Sequence, residues 1–265
     1  MIGVFDSGVG GLTVLEALAA ELPAEHFVYL GDTARLPYGT KSAETVVRYA
    51  LQATEALMRY RLKCLVIACN TASAVSLPAI RARIVNVPVI GVIEPGAEAA
   101  CAASRTGRIA VIATEGTVRG AAYQQGIRRR RADAQVTAVA APLFVALAEE
   151  GLCEGPIAEA VAHHYLDPLF AVPRPPDTLV LGCTHFPMLM RAIRAAVGTQ
   201  VTIVDSAQTT ARHVRRTLTE SALAAAGGRG SLRLLATDAP QRFARVGARF
   251  LERPIEAHEV ELIDL

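Results

Sequence analysis

The sequence predicts an α/β fold with two similar domains, each a mainly parallel sheet flanked by helices. Three observations predict it: short apolar runs alternate with segments of helical periodicity, the alternation continues along nearly all 265 residues, and its first half is echoed in the second. Strands that alternate with helices are typical of parallel sheets covered on both faces. Ligands of such sheets bind beyond the carboxyl ends of the strands, so we expect a functional site there, in a cleft between the domains.

Nine apolar runs have the length and the Val, Ile and Leu content of buried strands. The predicted strands are 2–5, 27–30, 64–68, 88–91, 108–112, 135–139, 178–181, 201–204 and 231–235. Between them, apolar residues recur every three or four positions, which predicts helices. The predicted helices include 41–60, 71–84, 94–103, 115–130, 142–150, 156–170, 187–197 and 207–225.

The two halves of the chain repeat a pattern of strand ends. The first strand with its polar end, 2–7, is echoed by 109–114, and a later strand that leads to Cys69 is echoed by one that leads to Cys183. Each half therefore offers a first strand that ends in a polar residue and a later strand that ends in cysteine. This repeat predicts two similar domains whose strand ends face one cleft.

Two breaks divide the chain, one near Glu94-Pro95 and one near Asp205-Ser206. The last part of the chain contains a further strand pattern, which we expect to return to the first sheet. We therefore predict a first domain of residues 1–95 and 207–265, and a second domain of residues 96–206.

Composition excludes several classes of protein. Hydrophobic residues make up 52% of the chain and charged residues 20%, which is typical of a globular protein. The formal net charge of +2 does not predict a nucleic-acid or membrane surface. The start of the chain carries Asp6 where the core of a secretory signal peptide would be apolar. The longest mostly apolar stretch, 136–148, contains Pro142 and is too short to span a bilayer. We expect a cytoplasmic protein.

Cysteines are the first candidates for chemistry. The chain has five, an odd number without C-x-x-C spacing, which argues against a disulfide framework. Cys69 and Cys183 differ from the other three because a helix rich in hydroxyl and amide groups begins directly after each. A helix N-terminus stabilises a thiolate, so we expect the pKa of both thiols to be lowered toward neutrality. Two opposed thiols could remove a proton from one face of a carbon and return one to the other.

Two polar loops follow the first two strands. The loop at 5–11 is rich in glycine, but it is neither a Walker A loop nor a complete G-x-G-x-x-G fingerprint, so a tight turn remains an equal interpretation. The loop at 31–39 could be a lid or a ligand clamp. The alternative is that Asp32 merely caps a turn.

Besides the cysteines, three groups of charged or titratable side chains are candidates for a functional role. His185 with Cys183 provides only two metal ligands, so we predict no metal site and interpret His185 as a proton partner of the thiol. Glu149 ends a helical stretch, where solvation at the surface is the default. The run of four arginines at 128–131 is typical of a solvated helix end that complements the helix dipole.

Seven stretches together, in order, resemble the glutamate racemase family of the cofactor-independent aspartate/glutamate racemase superfamily. They are Gly-Val-Phe-Asp-Ser-Gly-Val-Gly-Gly-Leu at 3–12, Tyr-Leu-Gly-Asp-Thr-Ala-Arg at 29–35, Pro-Tyr-Gly at 37–39, Ala-Cys-Asn-Thr-Ala at 68–72, Gly-Val-Ile-Glu-Pro-Gly at 91–96, Pro-Leu-Phe at 142–144 with Glu-Glu-Gly at 149–151, and Gly-Cys-Thr-His-Phe-Pro at 182–187. Two positions depart from the family's pattern, Ala141 where cysteine is frequent and Ala146 where proline is common.

The resemblance implies two domains related by a pseudo-twofold, with the active site between them. It implies that Cys69 and Cys183 are the two bases, that Asp6 is the partner of Cys69, and that Glu149 and His185 are the partners of Cys183. The substrate-binding residues that it implies are Asp6, Ser7, Pro37, Tyr38, Gly39, Asn70, Thr71, Thr114, Thr117, Thr184 and His185.

The resemblance also implies the reaction and its setting. The expected reaction is the racemisation of L-glutamate to D-glutamate without a cofactor, which supplies D-glutamate for peptidoglycan synthesis, and the expected assembly is a homodimer. Relatives that a cell-wall precursor activates carry an N-terminal extension, whereas the first strand here begins at residue 2, so we do not expect that control.

Rival functions remain open at this point. Pyridoxal phosphate would need a Schiff-base lysine, and the only lysines, Lys41 and Lys63, lie outside any phosphate-site pattern, so a route without a cofactor is favoured. Racemisation of aspartate is the nearest rival, because the sequence does not reveal pocket size. A catalytically silent metabolite-binding protein and a Rossmann-type nucleotide enzyme are the others.

Overall fold

The computed structural model describes residues 1–265 and contains two parallel sheets. The larger sheet has six strands in the order β10-β9-β2-β1-β3-β4, namely β1 Ile2–Asp6, β2 Phe27–Gly31, β3 Cys64–Ile67, β4 Val89–Gly91, β9 Leu232–Ala236 and β10 Val260–Leu262. The smaller sheet has four strands in the order β6-β5-β7-β8, namely β5 Arg108–Ala113, β6 Gln135–Ala140, β7 Thr178–Gly182 and β8 Thr202–Asp205. Every strand pair is parallel. The predicted α/β class is confirmed.

Eleven α-helices connect and cover the sheets. They are α1 Leu12–Glu21, α2 Ala43–Met58, α3 Asn70–Arg83, α4 Ile93–Ala103, α5 Glu115–Arg119, α6 Ala122–Arg130, α7 Pro142–Glu150, α8 Pro156–Phe170, α9 Met190–Val197, α10 Ser206–Glu220 and α11 Pro240–Phe250. None of them is both long enough and apolar enough to cross a membrane.

Four strands of each sheet follow the same order. The order β2-β1-β3-β4 in the first sheet corresponds to β6-β5-β7-β8 in the second, so the repeat predicted from the strand ends is a repeat of topology. The strand that leads to each of the two cysteines lies beside the first strand of its own sheet. The carboxyl ends of equivalent parallel strands therefore present Cys69 and Cys183 at equivalent edges.

The chain crosses from one sheet to the other through α4 and returns through α10, and these two helices pack against each other. Strands β9 and β10 then extend the first sheet. Strands β1–β4, β9 and β10 thus share one sheet and β5–β8 the other, which agrees with the predicted division near residues 95 and 206. We retain that division into two domains as a proposal.

The inner strands β1, β2, β3 and β7 are buried on both faces, as parallel strands between helices require. Successive residues of β1 point to opposite faces. Val4 packs into the larger apolar cluster, which continues into the second sheet, whereas Phe5 packs against α2 and α3 in the smaller one. The apolar core thus extends from one sheet to the other and fixes the sides of the cleft between them.

The nine predicted strands are confirmed, each within about one residue of its predicted ends. The single predicted helix at 115–130 is wrong, because the chain turns between α5 and α6 at Ala121, where φ is +52°. The predicted helix at 187–197 begins as a 3₁₀ turn, Phe186–Leu189, before α9. The sequence interpretation missed β10, which is only three residues long, and α11.

Candidate active site

A cavity of about 310 Å³ lies between the carboxyl ends of the two sheets. Residues directly after β1 and β3 line it from the six-stranded sheet, and residues directly after β5 and β7 line it from the four-stranded sheet. Helix α7 supplies a further side. The cavity therefore lies beyond the carboxyl ends of the strands, where ligands of parallel α/β sheets bind.

The cavity brings together most of the side chains that the sequence singled out. Its lining includes both cysteines and ten other candidate residues, namely Ser7, Pro37, Tyr38, Gly39, Asn70, Thr71, Thr114, Glu149, Thr184 and His185. Two candidates, Asp6 and Thr117, are buried just behind it and do not line it. Of the two positions that depart from the family's pattern, Ala146 lines the cavity and Ala141 is buried before α7.

Cys69 caps the N-terminus of α3. Its Sγ accepts a hydrogen bond from the backbone N–H of Ala72 at 3.4 Å and lies 3.5 Å from the Ser7 Oγ. The expectation of a lowered pKa is nevertheless wrong for this thiol. Burial raises the pKa of Cys69 to about 12, with a further rise from the charge of Asp6, and the contacts with Ser7 and Ala72 offset only part of the rise.

Asp6 lies close to Cys69 without a hydrogen bond to it. One carboxylate oxygen of Asp6 accepts the backbone N–H of Gly8 at 2.9 Å, and the other, Oδ1, has no hydrogen-bond partner. Burial raises the pKa of Asp6, although the charge of His185 and nearby backbone N–H groups act in the opposite direction. Asp6 therefore influences Cys69 through its charge and through the position of the loop that follows β1.

Cys183, His185 and Glu149 form a chain of polar contacts on the other side of the cavity. The Cys183 Sγ lies 3.8 Å from the His185 Nδ1, and the His185 Nε2 lies 3.3 Å from the Glu149 Oε1. Burial would lower the pKa of His185, but the hydrogen bonds with Cys183 and Glu149 prevail and raise it to about 10. At neutral pH the imidazolium therefore donates to both neighbours.

The carboxylate of Glu149 is held in the charged form. Its hydrogen bond with His185 lowers the pKa of Glu149 to about 2, against the effect of burial and with help from Arg242. The default interpretation of Glu149 as a solvated surface residue is wrong, since its side chain is only 17% exposed. The structure places it at the cavity as a partner of His185.

Arg242 is a charged neighbour of the site that sequence reasoning missed. It lies on α11, and its Nη2 is 2.8 Å from the Glu149 Oε2. The apolar residues of α11, Phe243, Val246 and Phe250, recur at helical spacing, so the helix itself could have been predicted. Its contact with a glutamate more than ninety positions earlier leaves no local signal in the sequence.

Neutral polar groups lie on, or directly behind, the side of the cavity between the two sheets. The hydroxyls of Thr71, Thr114 and Thr117 lie within 2.8–3.3 Å of one another, and Thr71 belongs to α3 whereas the other two follow β5. Asn70 is 3% exposed, and its Oδ1 accepts the hydroxyl of Tyr123 at 2.8 Å. The Asn70 Nδ2 has no partner, so a donor is left for a ligand.

The loop between β2 and α2 carries Tyr38 and Gly39 to the cavity. Asp32 is fully buried and binds the loop from within: it accepts hydrogen bonds from Tyr38, from the Arg35 Nε at 2.8 Å and from Thr237 at 2.9 Å. The clamp interpretation of this segment fits its position better than a simple turn. Asp32 itself anchors the loop and does not line the cavity.

The glycine-rich loop after β1 contacts the second sheet's site residues. A Cβ at Gly10 would overlap the His185 ring and the Thr184 hydroxyl, so only glycine permits this approach. The Thr13 hydroxyl, at the start of α1, donates to the Thr184 carbonyl at 3.0 Å. The glycines thus serve the contact between the two halves of the site, which disfavours the nucleotide-loop interpretation.

The charges that line the cavity are few. The two thiols, Glu115, Glu149 and His185 are its only lining residues with titratable side chains apart from Tyr38, and neither lysine nor arginine lines it. Both thiols are 5% exposed. The arrangement can hold a small ligand by hydroxyl, amide and backbone groups while a thiol from each sheet lines the same cavity.

Comparison with known proteins identifies the relatives of this chain. Residues 2–214 match the family described as Asp/Glu/Hydantoin racemase. A glutamate racemase from Geobacter metallireducens is 49% identical over 251 residues, which cover 94% of this chain and 92% of the relative.

Two solved structures extend the comparison to the fold. The crystal structure of a glutamate racemase isoform from Bacillus anthracis is 36% identical, with a TM-score of 0.94, and the match covers 100% of this chain and 97% of that one. The glutamate racemase from Francisella tularensis, solved in complex with D-glutamate, is 34% identical with a TM-score of 0.91, and the match covers 99% of this chain and 97% of that one.

Proposed function

The chain belongs to the glutamate racemase family, within the Asp/Glu/Hydantoin racemases, and we propose that it interconverts L- and D-glutamate without a cofactor by proton transfer between two cysteines. The observation that carries the proposal is the position of Cys69 and Cys183. They follow equivalent strands of two different sheets and line one cavity. The names of the relatives support glutamate as the substrate.

The reaction requires one thiolate and one thiol. The thiolate takes the α-proton, so that the C–H bond breaks and an S–H bond forms while the electron pair stays on the carbon and its carboxylate. The opposite thiol then gives its proton to the other face of the carbon and becomes the thiolate. Atoms and charge balance, because one proton is removed and one is returned.

The two cysteines have different surroundings. The His185 imidazolium lies 3.8 Å from the Cys183 Sγ, so its positive charge offsets the negative charge that Cys183 carries when it acts as the base. Cys69, with its pKa raised to about 12, keeps its proton at neutral pH. Reaction in the opposite direction needs Cys69 as the base, and the ammonium group of glutamate supplies a positive charge that favours its thiolate.

The α-proton of an amino acid is a weak acid, so the site must stabilise the carbanion that develops beside the carboxylate. Fixed donors in a site with little water are the usual means. The free Asn70 Nδ2 and the hydroxyls of Ser7, Thr71 and Thr184 are the donors that we assign to the substrate carboxylates. Because Cys69 and Cys183 are held by helix and strand ends, orientation contributes a further part of the rate.

The remaining parts of the proposal follow from family membership. We infer that the product D-glutamate serves peptidoglycan synthesis, that the enzyme acts in the cytoplasm, and that it works as a homodimer. Sedimentation of the purified chain at micromolar concentration tests the dimer directly.

The test of the activity is deuterium incorporation. L-glutamate, D-glutamate and L-aspartate are incubated separately with the purified chain in D₂O without added cofactor, and the α-hydrogen and the chirality are followed by NMR and chiral chromatography. We expect both enantiomers to exchange and to reach a racemic mixture. Faster exchange of aspartate than of glutamate would favour aspartate racemisation, and binding of glutamate without exchange would favour a silent binding protein.

A further inference from the structure

Helix α11 belongs to the part of the chain that completes the six-stranded sheet, yet it contacts the site residues of the four-stranded one. Arg242 and Arg249 lie seven residues apart on α11, and both reach the last turn of α7. The Arg242 Nη2 is 2.8 Å from the Glu149 Oε2, and the Arg249 Nη1 donates to the Glu149 carbonyl at 3.0 Å. The Phe250 ring packs edge-on against His185, with 5.2 Å between the ring centroids.

The two arginines differ in what they hold. Arg249 donates to a backbone carbonyl and packs against Gly151, so it docks one helix against the end of another. Arg242 contacts the carboxylate itself. Each oxygen of Glu149 then has a partner of its own, with Oε1 facing His185 and Oε2 facing Arg242.

Fully exposed ion pairs contribute little to the free energy of folding, but in this pair the carboxylate is mostly buried. The Glu149 side chain is 17% exposed and that of Arg242 is 42% exposed. Two contacts, one on each oxygen, hold the carboxylate in its orientation toward the cavity. Loss of the Arg242 contact leaves Oε2 free to turn toward solvent, which takes Oε1 away from the imidazolium.

We propose that Arg242 is a positioning residue, which acts through Glu149 and His185 on Cys183 and affects Cys69 much less. This inference rests on the proposed function for its place in a reaction, but the geometry that it describes can be tested without the reaction. Under this proposal, helix α11 contributes to the geometry of the active site. The order of contacts is Arg242 to Glu149, Glu149 to His185, and His185 to Cys183.

The test compares the reactivity of thiols within one sample. The purified chain and its Arg242→Gln variant are treated with iodoacetamide under native conditions, and the rate of alkylation of each cysteine is measured by peptide mass spectrometry. We expect alkylation of Cys183 to slow roughly tenfold in the variant, since misplacement of a supporting group has effects of this order. Alkylation of Cys69 and of Cys101, which lies outside the cavity, should stay within about twofold.

Further variants separate positioning from docking. Arg242→Lys keeps the charge and should restore most of the Cys183 rate. Arg245→Gln changes an exposed arginine on the same helix and should change nothing. Arg249→Gln weakens only the docking contact, so it should slow Cys183 less than Arg242→Gln does.

Steady-state kinetics connects the geometry with the reaction. We expect Arg242→Gln to lower kcat roughly tenfold and to leave KM for glutamate within about twofold, because the residue does not touch the substrate. An unchanged ratio of Cys183 to Cys69 alkylation, or an equal change in Cys69, Cys101 and Cys183, would overturn the positioning role. Absence of racemisation by the unmodified chain would instead overturn the proposed function, whatever the alkylation ratio.

Discussion

Cys69 and Cys183 occupy equivalent positions in two sheets of the same topology but have opposite electrostatic neighbours. Cys69 lies near the carboxylate of Asp6 and accepts the N–H of Ala72. Cys183 lies beside the His185 imidazolium. The repeat of the fold thus delivers two thiols to one cavity, while the side chains around each thiol differ.

The two cysteines should fail differently when each is removed. In the proposed reaction, Cys69→Ala and Cys183→Ala each abolish racemisation, because each leaves one face of the α-carbon without a proton donor or acceptor. The remaining thiol can still remove and return a proton on its own face. We therefore expect each variant to exchange the α-hydrogen of one enantiomer only, and the two variants to prefer opposite enantiomers, as measured by NMR in D₂O.

Cys101→Ala is the control for the cysteine variants, because Cys101 is a free thiol outside the cavity. It should retain the full rate with both enantiomers. Full racemase activity in both single variants of Cys69 and Cys183 would refute the two-base mechanism.

Tyr123 should matter for substrate binding although it does not line the cavity. Its hydroxyl binds the Asn70 Oδ1 and so fixes which end of the amide, the Nδ2, is free for a ligand. Tyr123→Phe leaves a buried acceptor unpaired, which costs about 1–3 kcal/mol of folding free energy. We expect KM for glutamate to rise severalfold with a smaller change in kcat, and thermal unfolding to begin at a lower temperature.

Tyr165→Phe provides the comparison for Tyr123. The Tyr165 hydroxyl accepts the N–H of Leu143 and has no contact with Asn70. Its removal should leave KM unchanged. An equal KM in both variants would mean that the amide of Asn70 needs no fixed orientation.

Gly10 should tolerate no side chain. A Cβ there would overlap the His185 ring and the Thr184 hydroxyl, so Gly10→Ala must displace the ring from Cys183 or push the first loop away from it. We expect kcat to fall by about a hundredfold, since a shift of one ångström in a catalytic group can have that effect. Gly227→Ala, where the added Cβ meets nothing within 4 Å, should behave as the unmodified chain in the same assay. Comparable activity of the two variants would show that the loop after β1 can shift to fit the added methyl group without moving His185.

The sheets could be predicted from the sequence because a buried parallel strand is a local signal, a short apolar run between turn residues. The same is true of Cys69 and Cys183, whose places at strand ends follow from those runs. Partnerships such as Arg242 with Glu149 or Tyr123 with Asn70 join residues far apart in the chain, and no local pattern records them. The predicted direction of the pKa shift of Cys69 is wrong for a related reason. Burial raises this pKa, and burial depends on the packing of the whole molecule.

The ion pair of Glu149 and His185 should give the free energy of unfolding a pH dependence with two limbs. The pKa of Glu149 falls from 4.5 to about 2 on folding, so its contribution is present above 4.5 and is lost as the pH falls toward 2. The pKa of His185 rises from 6.5 to about 10, so its contribution is complete below 6.5 and is lost as the pH rises through 10. Because solvent still reaches part of the carboxylate and of Arg242, we expect about 2 kcal/mol on the acid limb. Urea unfolding of the unmodified chain and Glu149→Gln at a series of pH values measures both limbs. The variant should flatten the acid limb and reduce the alkaline limb only in part, because the contact with Cys183 also raises the pKa of His185. Glu154→Gln, which removes an exposed ion pair with Arg191, should leave both limbs in place, and equal slopes in Glu149→Gln and the unmodified chain would contradict the ion pair.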